Sequence, residues 1–335
     1  MKSLKQFNTF NLDVKCKELL FLATEDDYAR FQKISTNKIL IGGGSDILLT
    51  EDYHGIVGIT QNKGIEIDEN SSHYIVTALA GTRWHELVTT MVNKGIGGSE
   101  NLALIPGTCG AAPVQNIGAY GLEFNQLCDH INVIDKEGNN ISISNEQCDF
   151  GYRTSNFKTK WKNNYIITSV SLKLSKSWQP LLDYAPLFSL KNKKNLTPKE
   201  VYDEVIRARK NKLPDPAVLG NAGSFFKNPI VSAEFFNKLF KQYPNIPFYK
   251  QDNERYKIPA GWLIDQCGLK GFCIGDAKVY EKQALVIVNK GQATPLDIVN
   301  LAKYIISSVK VKFEIDLEPE IRIYGSNGEI SLGQL

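Results

Sequence analysis

"GIGGSENLALIPGTCGAAPVQNIGAYG", residues 95–121, shows neither helical nor strand periodicity. Gly107, Gly110, Gly118 and Gly121 punctuate its second half. Loops of this length without structure of their own are uncommon in compact domains unless they are functional. Small side chains let a flat ligand approach the backbone, and Gln115 and Asn116 add amide donors and acceptors. Upstream, "KILIGGGSDILL" (38–49) reads as strand, glycine turn, strand, and "GIVGIT" (55–60) and "HYIVTALAGT" (73–82) read as strands. "RWHELVTTMVNKG" (83–95) reads as a helix with Thr82 as N-cap and Trp84, Leu87, Val88 and Met91 on its apolar face. Downstream, strands are expected at 130–138, 140–144 and 165–175, and a helix at 198–212. The long loop therefore sits inside an α+β chain.

Further on, "KLPDP" (212–216) resists regular structure and reads as a junction. Helices are expected around 231–243, 259–268 and 294–313, with a strand at 284–289. "DLEPEIRIYG" (316–325) reads as a late strand, on which Glu318, Glu320 and Arg322 share one face. No internal repeat is present.

Composition narrows the function classes. The chain has 335 residues, 42% hydrophobic and 22% charged, and a net charge of +3. That is ordinary for a globular protein, argues against a dedicated nucleic-acid binder, and permits an anionic small substrate. The lysine-rich stretches 157–164 and 190–198 read as solvated surface. Six cysteines without a CxxC read as free thiols in a reducing compartment, with Cys109 and Cys267 as small apolar residues. His54, His73, His85 and His130 form no metal-binding pattern. The N-terminus lacks an apolar signal region and no stretch is long enough to span a membrane, so the expectation is a cytoplasmic protein.

Three short motifs carry candidate chemistry. "GGGSD" (42–46) is either an anion nest or a tight structural turn; no GK[ST] or GxGxxG accompanies it. "FGYRTS" (150–155) sets Arg153 beside Tyr152. "GNAGSFFKNP" (220–229) places Ser224 on a small-residue turn walled by two phenylalanines, which pattern alone leaves open between a turn and a site.

These segments, with "NTFNLD" (8–13), "AGWLIDQCGLKG" (260–271) and "LEPEIR" (317–322), resemble the UDP-N-acetylenolpyruvoylglucosamine reductase family. They stand in the family's order across nearly the whole chain, and "LLDYAPL" (181–187) resembles the loop-bearing type I subtype. The resemblance implies FAD-binding domains of the vanillyl-alcohol-oxidase (PCMH) type at 1–66 and 67–212, with a C-terminal return at 314–335. An α+β substrate domain is implied at 213–313.

It also implies an activity in peptidoglycan precursor synthesis. NADPH reduces non-covalent FAD, which reduces UDP-N-acetylglucosamine enolpyruvate to UDP-N-acetylmuramate. NADPH and substrate use one cleft in turn, which accounts for the missing GxGxxG. Nucleic acid and membrane are not expected as partners, and a monomer is expected. The cofactor residues implied are Gly42, Gly43, Gly44, Ser45, Asp46, Gly107, Gly110, Ala111, Ile117, Gly121 and Tyr152. Asp46 stands where the family more often has asparagine, and a carboxylate there repels a diphosphate unless it turns away or pairs with a cation. Tyr184, Lys212, Asn228, Tyr249, Lys257 and Gln283 match substrate positions. The catalytic residues implied are Arg153 and a protonated Glu320 for the enolate, and Ser224 as proton donor, brought together from three distant segments. The alternatives are a related FAD-dependent oxidase of the same fold and a non-catalytic UDP-sugar-binding protein.

Overall fold

The computed structural model describes residues 1–252 and 254–335. The chain forms two compact units, each assembled from separate stretches: 17–44 with 55–211, and 1–16 with 45–54 and 212–335.

The unit of 17–44 and 55–211 is built on a five-stranded antiparallel sheet. Its spatial order is Asn140–Ser144, Cys128–Ile134, Ile166–Ser175, His73–Leu79, Ile65–Glu69. The helix Trp84–Asn93 buries Trp84, Leu87, Val88 and Met91 in a core with Val76, Val170 and Leu172 of the sheet. Leu102, Cys109 and Ala112 of the long loop enter the same core, as do Val201, Tyr202 and Val205 of the helix Pro198–Lys212. The loop is thus fixed by burial of its own apolar residues. Thr82 is not the N-cap of the first helix. Arg83 holds that position, and the Thr82 hydroxyl exchanges hydrogen bonds with the backbone of Gly64 instead. A hydroxyl already committed to a neighbouring turn is not available to a helix end.

In the second unit, a four-stranded antiparallel sheet runs Gly220–Ser224, Val286–Asn289, Ala277–Val279, Cys273–Ile274. A three-stranded sheet places Arg255–Lys257 between Ile230–Ser232 and Tyr249–Gln251. The helix Pro295–Phe313 starts on a capping box of Thr294 and Asp297, with Pro295 in its first turn. The late strand covers only Arg322–Gly325, paired in parallel with Ile47–Leu49. Residues 318–320 make an isolated antiparallel bridge instead, with Pro319 opposite Phe226. The expected common face of Glu318, Glu320 and Arg322 is therefore not formed by one strand. Among the described residues, no helix is long and apolar enough to cross a membrane. No group of three or more His, Cys, Asp and Glu among them is placed to hold a metal ion.

Candidate active site

The two glycine turns singled out by sequence meet in the first unit. A Cβ on Gly43 would lie 2.7 Å from the Gly107 Cα, and one on Gly42 would lie 2.4 Å from Thr108 Oγ1. Both are closer than real Cβ atoms approach, so the two loops can close on each other only where these positions carry no side chain. Gly44, Gly107 and Gly121 have positive φ, as do Asn116 and Tyr120. Thr108 Oγ1 and Gln115 Oε1 are buried here without a hydrogen-bond partner. Orphaned polar atoms on a glycine-rich loop fit a polar, extended ligand such as a dinucleotide. The amides of Ala111 and Ile117 are engaged inside the loop and that of Gly110 by the Ala80 carbonyl, so these residues shape the loop rather than offer donors.

Arg153 belongs to the same unit. It adopts φ +56°, and its Nη2 donates to the Gly118 carbonyl at 3.0 Å while its guanidinium lies over the Tyr152 ring. A left-handed arginine costs about 1 kcal/mol, a strain that clusters at functional sites. The Tyr184 ring lies against Gly121, whose Cβ would come within 2.6 Å of it. Arg153, Tyr152 and Tyr184 are thus gathered on the segment "GAYG" (118–121).

Ser224 lies in the second unit, at the end of the strand Gly220–Ser224. The register against Val286–Asn289 shifts between Asn221 and Ser224. Gly223, at φ +78°, supplies that irregularity. Gly220 packs on the "NTFNLD" turn, where a Cβ would come 2.5 Å from the Phe10 carbonyl oxygen. Phe225 and Phe226 are buried, their rings 4.9 Å apart, and hold the strand end in the core. The segment 225–227 then pairs with 318–320. Lys227 N–H donates to the Glu318 carbonyl at 2.9 Å, and Glu320 N–H to the Phe225 carbonyl at 2.8 Å. Ser224 and Glu320, 96 positions apart, are brought onto neighbouring backbone by that ladder. Lys227 itself pairs with Glu318 at 3.2 Å.

The family model described as the UDP-N-acetylenolpyruvoylglucosamine reductase C-terminal domain matches residues 215–324, and one described as an FAD binding domain matches 20–144. A UDP-N-acetylenolpyruvoylglucosamine reductase from Photorhabdus laumondii is 48% identical over 335 residues, covering 98% of each chain. One from Pectobacterium atrosepticum is 44% identical, covering 98% of this chain and 96% of that protein. The chain belongs to the UDP-N-acetylenolpyruvoylglucosamine reductase family. The crystal structure of such a reductase from Thermus caldophilus matches with a TM-score of 0.68 at 25% identity, over 96% of this chain and 97% of that one. As a member of that family the chain is an oxidoreductase of peptidoglycan synthesis, α+β in fold, with FAD and NADPH as its cofactors.

The substrate positions implied by the family lie mostly in the second unit. Asn228 Oδ1 accepts the Ala260 N–H at 2.9 Å, and Gln283 Oε1 lies where a Cβ on Gly261 would come within 2.8 Å. Lys257 and exposed Tyr249 are cross-strand partners, with the ammonium 5.8 Å from the ring centre. Lys212 is exposed at the end of its helix.

Asp46, at φ +60°, accepts the Arg322 N–H on its carbonyl at 3.0 Å. Burial works against the Arg322 charge, but Tyr324, Glu329 and Asp46 together hold its pKa above the ordinary arginine value. The direct partner of Arg322 is Glu329, with Nη2 2.6 Å from Oε2, and Asp46 acts on the guanidinium through its charge. Sequence reasoning passed over Thr108, and nothing marks it in the sequence except its place between Gly107 and Gly110. It also passed over Arg209, although Arg209 falls at helical spacing from Val201, Tyr202 and Val205 on the buried face.

Proposed function

We propose that the chain reduces the enolpyruvyl group of UDP-N-acetylglucosamine enolpyruvate, with Ser224 as proton donor and Arg153 and Glu320 as stabilisers of the enolate. The observation that carries this reading is the pairing of 225–227 with 318–320, in which Glu320 N–H bonds the carbonyl of Phe225, the residue after Ser224. The turn Gly42–Gly44 and the loop Gly107–Gly121 would hold FAD, which when bound would supply hydride chemistry driven by NADPH. Adding that hydride to the far carbon of the double bond leaves negative charge spread onto the substrate carboxylate.

Arg153 meets that charge with a permanent cation and a planar fork of donors. Glu320 assists in its protonated form, as a hydrogen-bond donor. Ser224 then delivers a proton to the carbon bearing the ether oxygen, directly or through a water. The buried phenylalanines beside it keep the turn dry, which strengthens each of these electrostatic terms.

Tyr184, Lys212, Asn228, Tyr249, Lys257 and Gln283 serve the nucleotide-sugar and its diphosphate, for which cations and donors are the fitting types. Division of the chain at 66, 212 and 313 is in this reading a division of roles, flavin for the first two segments and substrate for the third. NADPH and substrate occupy one cleft in turn, in a cytoplasmic monomer.

Stopped-flow measurement of the two half-reactions tests the proposal. In Ser224→Ala, NADPH reduces the flavin at close to the normal rate, while reoxidation by substrate slows by about 10²–10⁴-fold, the range for loss of a positioned general acid. Equal slowing of both halves would rule out the proton-donor role.

A further inference from the structure

Leu104 has both of its backbone polar groups held by side chains from two different helices. Its N–H donates to Nδ1 of His85, on the helix Trp84–Asn93, at 3.1 Å. Its carbonyl accepts from Nη2 of Arg209, on the helix Pro198–Lys212, at 3.3 Å. Leu104 adopts φ +57°, a left-handed conformation that a leucine avoids. The Arg209 guanidinium also bonds the phenol of Tyr120, itself at φ +48°. One half-buried arginine thus ties together two strained points of the same glycine-rich loop. Three residues after Leu104 comes Gly107, onto which Gly43 closes.

We propose that His85 and Arg209 clamp Leu104, fixing the entry of the glycine loop in its flavin-binding shape, and that protonation of His85 releases the clamp. They are positioning residues, and the inference rests on the reading of 107–121 as the flavin loop.

The imidazole is itself fixed. Its ring stacks on Tyr202 with centroids 5.8 Å apart and an interplanar angle of 12°. The Thr89 hydroxyl bonds both the His85 carbonyl and the Tyr202 phenol, each at 2.7 Å. Because Leu104 donates, Nδ1 must accept, so the imidazole is neutral with its proton on Nε2. A protonated imidazole carries N–H on both nitrogens and presents a donor to a donor. Burial, then the Arg209 and Lys210 charges, hold the His85 pKa below its ordinary value, so the clamp is closed at neutral pH. The groups around it are Tyr202, Arg209 and Lys210 on the facing helix, Tyr120 through Arg209, and Glu86 next to it in sequence.

The test measures FAD affinity of the full chain by flavin fluorescence between about pH 7.5 and pH 5.5, with amide exchange of 103–110 in the FAD-free protein. His85→Asn keeps an acceptor near the Nδ1 position and does not titrate. It should hold its affinity on acidification, while the native chain weakens progressively as His85 takes up a proton, by up to roughly tenfold, the order of a left-handed leucine's cost. His85→Ala should be weaker at both pH values, with faster exchange at 103–110. Adding Leu104→Gly should restore most of the affinity, since glycine takes φ +57° without strain. Titration of Glu100 or of FAD itself is common to the native and Asn proteins and cancels in their ratio. Parallel pH curves for those two proteins overturn the proposal. Unchanged exchange in His85→Ala overturns the clamp alone. Faster exchange with unchanged FAD affinity overturns the flavin-loop reading along with it.

Discussion

Gly43 and Gly223 both stand in turns that sequence marks as candidate sites, and they are glycines for opposite reasons. At Gly43 the neighbour forbids a side chain, because the Gly107 Cα lies 2.7 Å from where a Cβ would be. At Gly223 nothing lies within 4 Å of that position, and the constraint is the residue's own φ of +78°. The first glycine closes one loop against another. The second makes the bulge between Asn221 and Ser224, beyond which Ser224 rejoins the ladder opposite Val286. The supports differ as well. The long loop is anchored by ionisable groups, Glu100, His85 and Arg209, besides the amides of Asn101 and Asn116. The Ser224 turn is anchored by amides: Asn221 bonds the carbonyls of Leu219 and Pro214, Asn289 bonds that of Phe10, and Asn8 closes the turn around Phe10.

Substituting at each turn sharpens the contrast. Gly43→Ala has the largest expected effect. Neither backbone can yield without opening the two loops, and overpacking of this kind costs about 1–3 kcal/mol. FAD affinity should fall by up to roughly a hundredfold, measured by flavin retention on dialysis and by fluorescence titration. Gly220→Ala comes next. Its Cβ would meet the Phe10 carbonyl oxygen at 2.5 Å, so denaturant unfolding should show a loss of about 1–3 kcal/mol. Gly223→Ala should cost only about 1 kcal/mol, from backbone conformation alone, and leave FAD affinity unchanged. If Gly223→Ala costs as much as Gly220→Ala, the distinction between conformational and packing glycines fails here.

The sequence made some of this contrast readable and hid the rest. Strands with plain alternation, such as Ile166–Ser175 and Asn140–Ser144, and the amphipathic helices were legible because their periods follow from local geometry. Glycine-rich loops were legible as unusual. Their mutual contact was not, since Gly43 and Gly107 are joined only by the fold. Ser224 and Glu320 depend on a non-local contact that is a single bridge, which strand periodicity does not reveal. Thr82 looked like a helix cap because caps are recognised by residue type, whereas its hydroxyl is taken by Gly64. Arg209 could have been flagged as a charge on an apolar helix face. Glu100 carries no such signal, being one acid in a loop.

Glu100 provides the most delicate separation of the two regions. Its carboxylate is buried and accepts the Gly98 N–H and the Trp178 indole N–H, each at 2.6 Å. Trp178 in turn covers Gly97, where a Cβ would come within 2.4 Å of the indole. Burial raises the Glu100 pKa above its ordinary value, although these hydrogen bonds pull the other way. A carboxyl raised in the folded state binds its proton more readily there than in the unfolded chain. Its contribution to stability is therefore greatest at low pH and declines as pH climbs from about 4.5 through the folded-state value. Local opening around 97–102, followed by amide exchange, should thus become more frequent over that interval. The amide-anchored segment 220–224 should show no matching trend once the intrinsic pH dependence of exchange is removed. Glu100→Gln has no titrating group and keeps an acceptor for one of the two donors, so its exchange at 97–102 should be flat across the same interval. An equal trend in both segments, or its persistence in Glu100→Gln, would show that the charge-anchored and amide-anchored turns respond to pH alike and that the carboxylate is not what sets the loop apart.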